Sequence, residues 1–211
     1  MRDGAVNSFR KRRGQALASR LARLADELGR PLSIIDVGGR RDYWNNVTLD
    51  GIGQITLVNN DPAELHRVSE KEELFEDVIG DARALTDVGN CAFDFYHSNS
   101  VIEHVGKWDD MEAMAREAVR VAPHGWLQTP AWEFPVEPHF RLPFMHWLAT
   151  PARAALLKLS PPYRDNSRTE RRFHAERINL LSRHECGLLF PDARIDTERL
   201  LLLPKSYIAV W

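Results

Sequence analysis

The sequence predicts an α/β fold: an open, mostly parallel sheet with helices on both faces, finished by an antiparallel pair of strands. Three observations predict it. Short apolar runs alternate with amphipathic stretches at the pace of repeated βα units between residues 32 and 129. Four consecutive runs end in Gly, Asp, Asn or Ser, the residues that suit exit turns. The last two runs, 193–201 and 205–211, are joined only by Leu202-Leu203-Pro204, too short for a crossover and long enough for a hairpin.

Each element has its own warrant. Leu17, Leu21, Leu24 and Leu28 recur at helical spacing and predict an amphipathic helix over 14–29, closed by Gly29 and Pro31. LSIIDV (32–37) is a buried parallel strand running into two glycines. QITLVNN (54–60) is a second, β-branched strand ending at the Asp61-Pro62 turn, and 62–74 follows as helix. DVI (77–79) is a short third strand and FDFYHSNSV (93–101) a fourth. Asp109 and Asp110 open a helix over 109–121, where acids meet the positive end of the dipole. GWLQT (125–129) is a fifth strand. From 130 to 163 the pattern changes: seven of the 12 prolines stand among Trp132, Phe134, Phe140, Phe144 and Trp147. That is too proline-rich for a strand and too apolar for a linker, so it predicts an ordered cap with helix at 144–159. LLSRHECGLLF (180–190) is the last helix before the hairpin.

Residues 1–211 therefore form one expected domain, with a basic N-terminal helix in 1–30 and a cap or substrate-binding insertion over 130–178. Its 44% hydrophobic and 27% charged residues are ordinary globular composition. Lys and Arg number 28 against 30 Asp and Glu, a net charge of −2, so a nucleic-acid partner is not expected. No window approaches 18 apolar residues, so no membrane span is expected. The basic N-terminus lacks the apolar core of a secretory signal, which gives a cytoplasmic expectation. Cys91 and Cys186 are too few for a disulfide framework or zinc site, and no carboxylate spacing suits magnesium, so no metal is expected. Charge is uneven nonetheless. Residues 1–30 carry eight cations against three acids, and 164–183 carry six arginines against three acids. Such runs are solvated faces unless an anionic group meets them.

In open α/β sheets ligands sit beyond the carboxyl ends of the strands, where strand order reverses. There the first strand gives Asp36, Gly38 and Gly39, glycines that let a backbone turn sharply and a ligand approach. The second gives Asn59, Asn60 and Asp61, about 20 residues on, where nucleoside-binding sheets hold ribose hydroxyls. The third gives Gly80, Asp81 and Ala82, and the fourth Ser98, Asn99 and Ser100. Each alone is ordinary turn chemistry; four ends together converge on one cleft.

These residues resemble the class I S-adenosylmethionine-dependent methyltransferases, especially the small-molecule, type 11-like group. IIDVGG resembles the first motif, GDA the adenine turn and FDFYHSNSVIEHV the fourth-strand signature; AREAVRVAPHGWLQTP and FPDARIDTERLLLLPKSYIAV resemble the fifth strand and closing hairpin. The resemblance spans about 32–211 and implies a three-layer α/β/α Rossmann-like methyltransferase fold of seven strands, the last antiparallel. It also implies S-adenosylmethionine as cofactor and S-adenosylhomocysteine as product. Asp36, Gly38 and Gly39 would line the amino-acid end of the cofactor, and Asn59, with Asn60 beside it, would take the ribose. Asp81 and Ala82 would flank adenine, and Ser98, Asn99 and Ser100 would lie near the methionine portion. Two departures stand out. Arg40 and Asp42 occupy places that are usually glycine, and the ribose acid is the neutral Asn59.

Methyl transfer to oxygen or nitrogen needs alignment, plus a base where the nucleophile carries a proton. Candidate bases are Glu133, Glu137, His139 and His146 in the cap, with His104 after the fourth strand. Glu137-Pro138-His139 is the foremost group, and His104, Glu137 and His139 form the expected catalytic set. His97 and His124 read as structural. Base-methylating motifs are missing: no Asn/Asp-Pro-Pro-aromatic turn follows the fourth strand, and neither cysteine follows a proline. The expected reaction is methylation of an O or N atom of a small-molecule acceptor. The aromatic cap suits a hydrophobic part, and Arg168–Arg177 suits an anionic group. The rival reading is a methyltransferase-fold binding or assembly module without catalysis, motivated by Arg40, Asp42 and Asn59. A nicotinamide oxidoreductase fits worse, because Gly38-Gly39-Arg40-Arg41-Asp42-Tyr43 is no Gly-x-Gly-x-x-Gly turn.

Overall fold

A computed structural model describes residues 2–65, 72–136 and 139–211, with side chains from residue 9 onward. The elements are α1 (Arg2–Leu28), β1 (Leu32–Val37), α2 (Arg41–Trp44), β2 (Ile52–Asn59), α3 (Pro62–Leu65), β3 (Phe75–Ile79), β4 (Phe95–Asn99), α4 (Trp108–Val121), β5 (His124–Pro130), α5 (Thr150–Leu156), α6 (Arg168–Arg177), α7 (Arg183–Leu189), β6 (Arg194–Leu200) and β7 (Leu203–Val210). The strands form one seven-stranded sheet in the order β3-β2-β1-β4-β5-β7-β6. β1 pairs in parallel with β2 and β4, and β2 with β3, while β6 and β7 are antiparallel. The expected mixed sheet with an antiparallel end is thus the observed one.

Packing groups the chain into two compact units, residues 1–99 with 116–126 and residues 100–115 with 127–211. In the first unit, Leu17 and Leu21 of α1, Ile34 and Ile35 of β1, Ile55 and Leu57 of β2 and Phe95 and Tyr96 of β4 are fully buried. These are the alternate-turn leucines and the continuous apolar runs that the sequence patterning singled out. Asp94 pins the unit together. It accepts two hydrogen bonds from Arg30, at 2.6 and 2.8 Å, and two more from the Ser33 amide and hydroxyl. α1 also packs so closely that a Cβ at Gly14 would stand 2.5 Å from the Asn46 carbonyl oxygen.

The second unit has its own core of Phe140, Met145, Leu157, Ala175, Ile178 and Leu180. The cap helix expected over 144–159 is broken into a short 3-10 turn at Met145–Trp147, then α5, then another 3-10 turn at Leu157–Leu159. Pro151 lacks the N–H a continuous helix needs, and so begins a new one. α6 was not expected from periodicity, because its stripe is polar. Its start is marked instead by a capping box, Ser167 and Glu170 each bonding the other's backbone amide. The same device at Ser182 and Glu185 starts α7. The helix expected over 62–74 is observed as α3, with a 3-10 turn at Glu72–Leu74; 66–71 lies outside the described residues.

Candidate functional site

The carboxyl ends of β1, β2, β3 and β4 are neighbours within the first unit, since the four strands are adjacent and parallel. Parallel pairing aligns exit turns on one edge, so Asp36, Gly38, Gly39, Asn59, Asn60, Asp81, Ala82, Ser98 and Asn99 come together there.

The β1 exit turn is built around a buried carboxylate. Asp36 is 1% exposed. Its Oδ2 accepts from the Trp44 indole N–H at 2.7 Å, and its Oδ1 pairs with His97 Nδ1 at 2.7 Å. The other His97 nitrogen, Nε2, lies 3.2 Å from the Tyr43 hydroxyl. With Nδ1 donating to the carboxylate, Nε2 is left to accept from Tyr43 when the ring is neutral. The turn leaves no room for a side chain. Gly38 is left-handed at φ +71°, and a Cβ on Gly39 would sit 2.2 Å from Asp36 Oδ2.

Several expected contacts are redirected. The Asp36 side chain faces inward to Trp44 and His97 rather than lining an open site. Ser98 is fully buried and donates its hydroxyl to the Val37 carbonyl at 2.9 Å. Asn59 spends its amide on the loops, with Oδ1 accepting from the Asp61 amide at 3.1 Å and Nδ2 reaching the Gly39 carbonyl at 3.4 Å. Asp36 and Ser98 are buried, where a polar group requires a partner, whereas Asn59 is half-buried and ties two loops together. Asn60 and Asp61 remain exposed at the same strand end, with oxygens that suit a ribose diol. Asp81 is held by Arg83 through bonds of 2.6 to 3.1 Å, and that guanidinium keeps its carboxyl below the ordinary range. An ionised, acceptor-only Asp81 suits an exocyclic amino group. The altered glycine loop is closed by ion pairs: Arg40 reaches Asp42 at 3.1 Å and Glu64 at 3.3 Å.

One contributor was missed in the sequence. Arg13 of α1 donates to Asn99 Oδ1 at 2.8 Å, which brings a cation to the end of β4. The basic N-terminal run was visible, but no pattern says which strand end a helix will cover. Small residues, neutral or ionised acceptors and a guanidinium form a donor and acceptor set that fits a nucleoside carrying an amino-acid tail.

The second unit holds the remaining candidates. Ser100, left-handed at φ +57°, donates its hydroxyl to Gln128 Oε1 at 3.0 Å. His104 and His139 are brought together, Nε2 to Nε2 at 3.1 Å with rings edge to face. One of these nitrogens must accept while the other donates, so that accepting nitrogen carries no proton. Glu137, the third member of the expected set, lies outside the described residues. Glu133 accepts from the Tyr207 hydroxyl at 2.7 Å, and buried His146 pairs through Nε2 with the Trp132 carbonyl at 2.8 Å. Glu103 is fully buried and accepts from Thr129 at 2.9 Å. A groove of about 280 Å³ in this unit is lined by Lys107, Trp108, Trp132, His146, Asn179 and Glu185, among others. Among the described residues no group of three or more His, Cys, Asp or Glu could hold a metal, and no helix is long and apolar enough to cross a membrane.

A family model described as a methyltransferase domain matches residues 9–190. No protein of curated function matches the sequence. Solved structures share the fold. N-methyltransferase NodS from Bradyrhizobium japonicum is 10% identical, with 92% of this chain and 93% of that chain covered and a TM-score of 0.53. A S-adenosylmethionine-dependent methyltransferase structure from Methanosarcina mazei is 12% identical over 85% and 91%, at 0.54. The methyltransferase domain of bacterial CtHen1-C is 14% identical over 94% and 96%, at 0.55.

Proposed function

Because the chain belongs to the methyltransferase-domain family and is an S-adenosylmethionine-dependent methyltransferase, we propose that it methylates an O or N atom of a small-molecule acceptor. The observation that carries the acceptor chemistry is the His104–His139 pair: with Nε2 of one ring donating to Nε2 of the other, the donating ring, when neutral, keeps its lone pair at Nδ1. That Nδ1 is the base assigned to take the proton from a hydroxyl, or from an ammonium to give the amine nucleophile, as methyl transfer to these atoms requires at neutral pH. When bound, S-adenosylmethionine supplies an electrophilic methyl group on a sulfonium. The chain's own residues then hold and orient it. Gly38 and Gly39 give the backbone close approach, Asn60 and Asp61 accept from the ribose hydroxyls, and Asp81 with Ala82 meets the adenine edge. Asn99, and Arg13 which donates to it, serve the amino-acid end, with Ser100 next in the chain. Asp36, Asn59 and Ser98 act one step back, by fixing the turns that carry those groups.

The groove lined by Trp108 and Trp132 beside Lys107 and Glu185 suits a compact acceptor with an apolar face and a polar group. The arginines of α6 would serve a larger acceptor bearing an anionic group.

Isothermal titration with S-adenosylhomocysteine, followed by acceptor screening with methyl-labelled S-adenosylmethionine, tests this reading. Micromolar binding and label transfer to an alcohol or amine are expected. His139→Ala should lower turnover by about 10²-fold or more and leave cofactor affinity unchanged. Unchanged turnover would remove His139 from the chemistry. Absence of cofactor binding would overturn the site assigned to these strand ends.

A further inference from the structure

The hairpin joining β6 and β7 ends in four leucines. Leu201 and Leu202 are each 89% exposed, with Leu200 and Leu203 at 37% and 46%. Leu200 pairs with Leu203, so the loop is the two residues Leu201-Leu202. Turn chemistry does not select them. Leu201 sits at φ +56°, a conformation that glycine or asparagine adopts far more readily than a bulky side chain. Core packing does not select them either, since both side chains are almost fully exposed. What remains is the side chains themselves, presented to solvent at a protruding point, where they cost solubility.

Two cations flank the tip, and the nearest acid along the chain, Glu198, accepts from the Ser206 hydroxyl. Residues 199–205 contain Arg199 and Lys205 and no acid. Arg199 lies alongside the tip, where it donates to the Leu202 carbonyl at 3.4 Å. Two partners could cover such a point, another protein surface or a lipid surface. A two-residue tip offers each partner at most a few hundred Å², against about 800 Å² per side in a standard protein interface. A bilayer needs no complementary groove. It accepts apolar side chains below the headgroups and attracts basic residues to anionic lipid.

We propose that the β6–β7 tip is a membrane-docking point, with Leu201 and Leu202 entering the acyl boundary and Arg199 and Lys205 meeting anionic headgroups. This would hold the protein at a lipid surface without any spanning segment, and its residues belong to neither group of site residues described above.

Flotation of the full chain with phosphatidylcholine vesicles, and with the same vesicles containing phosphatidylglycerol, tests the proposal. Wild type is expected to float with the anionic vesicles, and less so as salt is raised. The double variant Leu201→Asp/Leu202→Asp should lower partitioning on the order of tenfold or more while its unfolding temperature stays near that of wild type, because both positions are solvent-exposed. Arg199→Gln/Lys205→Gln should lose the preference for anionic lipid and the salt dependence, and keep weak binding to neutral vesicles. Equal flotation of the leucine variant, or no flotation of wild type, overturns the proposal. So does a concentration-dependent dimer in size-exclusion chromatography that the leucine variant abolishes, which would make the tip a protein contact instead.

Discussion

At the scale of single residues, the β1 exit turn is organised around one buried carboxylate. Asp36 is satisfied by Trp44 and His97, and His97 in turn meets Tyr43. Burial, with the Asp36 charge close by, also holds the Tyr96 hydroxyl protonated well above the ordinary phenol range. The turn tolerates no side chain at Gly39, so Gly39→Ala should cost about 1–3 kcal/mol of stability and weaken cofactor binding, as read by thermal unfolding and calorimetry. A mild, purely structural role predicts the first effect without the second. Arg13 allows a cleaner separation. Arg13→Met is expected to weaken S-adenosylhomocysteine by about tenfold, close to 1.4 kcal/mol, and to leave methylthioadenosine, which lacks the amino-acid tail, unaffected. Equal loss for both ligands would show that Arg13 supports the fold of the edge rather than the tail. The thiol of Cys186, pushed up to about 12 by burial, is unreactive at neutral pH and fits a core role.

At the scale of elements, the joint between α1, β1 and β4 rests on Asp94. Its hydrogen bonds from Arg30 hold the carboxyl below its usual range, against the opposing effect of partial burial. A depressed folded value means that the stabilisation is present above the ordinary carboxylate pKa of about 4 and is lost as pH falls through the lower folded value. Asp94→Asn should therefore cost about 1–3 kcal/mol at pH 7, because the Ser33 amide and hydroxyl lose a charged acceptor. Denaturant melts of both proteins from pH 7 down to pH 3 should show the gap narrowing in the acid range; a constant gap would mean that the charge is immaterial. Elements also set what was legible. α1, β1, β2, β4, α4 and β5 announce themselves through apolar periodicity. α6 has no apolar stripe, and only its Ser167/Glu170 capping box marks it. The helix expected over 144–159 is instead a 3-10 turn at Met145–Trp147 and a separate α5, because the chain is extended at Leu148 and Pro151 begins a new helix.

At the scale of the whole molecule, the sheet order β3-β2-β1-β4 places four polar strand ends on one edge. Ligand bound there to the native state alone must raise stability. S-adenosylhomocysteine at 100 times its Kd should add about 2.7 kcal/mol, visible as a shift in a thermal melt. The strand ends proposed to hold the nucleoside belong to one compact unit and the His104–His139 pair to the other. Cofactor affinity and turnover are for that reason expected to respond to different substitutions, as the Arg13 and His139 variants would show.

By itself the sequence determined the α/β class, the order of the strands along the chain, the hairpin at the end and the polar character of the strand ends. These follow from local rules: hydrophobic period, turn residues and loop length act over a few neighbouring positions. Tertiary structure decided which of those polar side chains reach outward. Asp36, Asn59 and Ser98 look like ligand groups in a one-dimensional reading, yet packing commits them to Trp44, His97, Gly39 and Val37. It likewise brought Arg13 to Asn99 across 86 positions, and His104 to His139 across 35. Such pairings depend on how helices and loops settle on the sheet, a long-range choice made by close packing that no local pattern encodes.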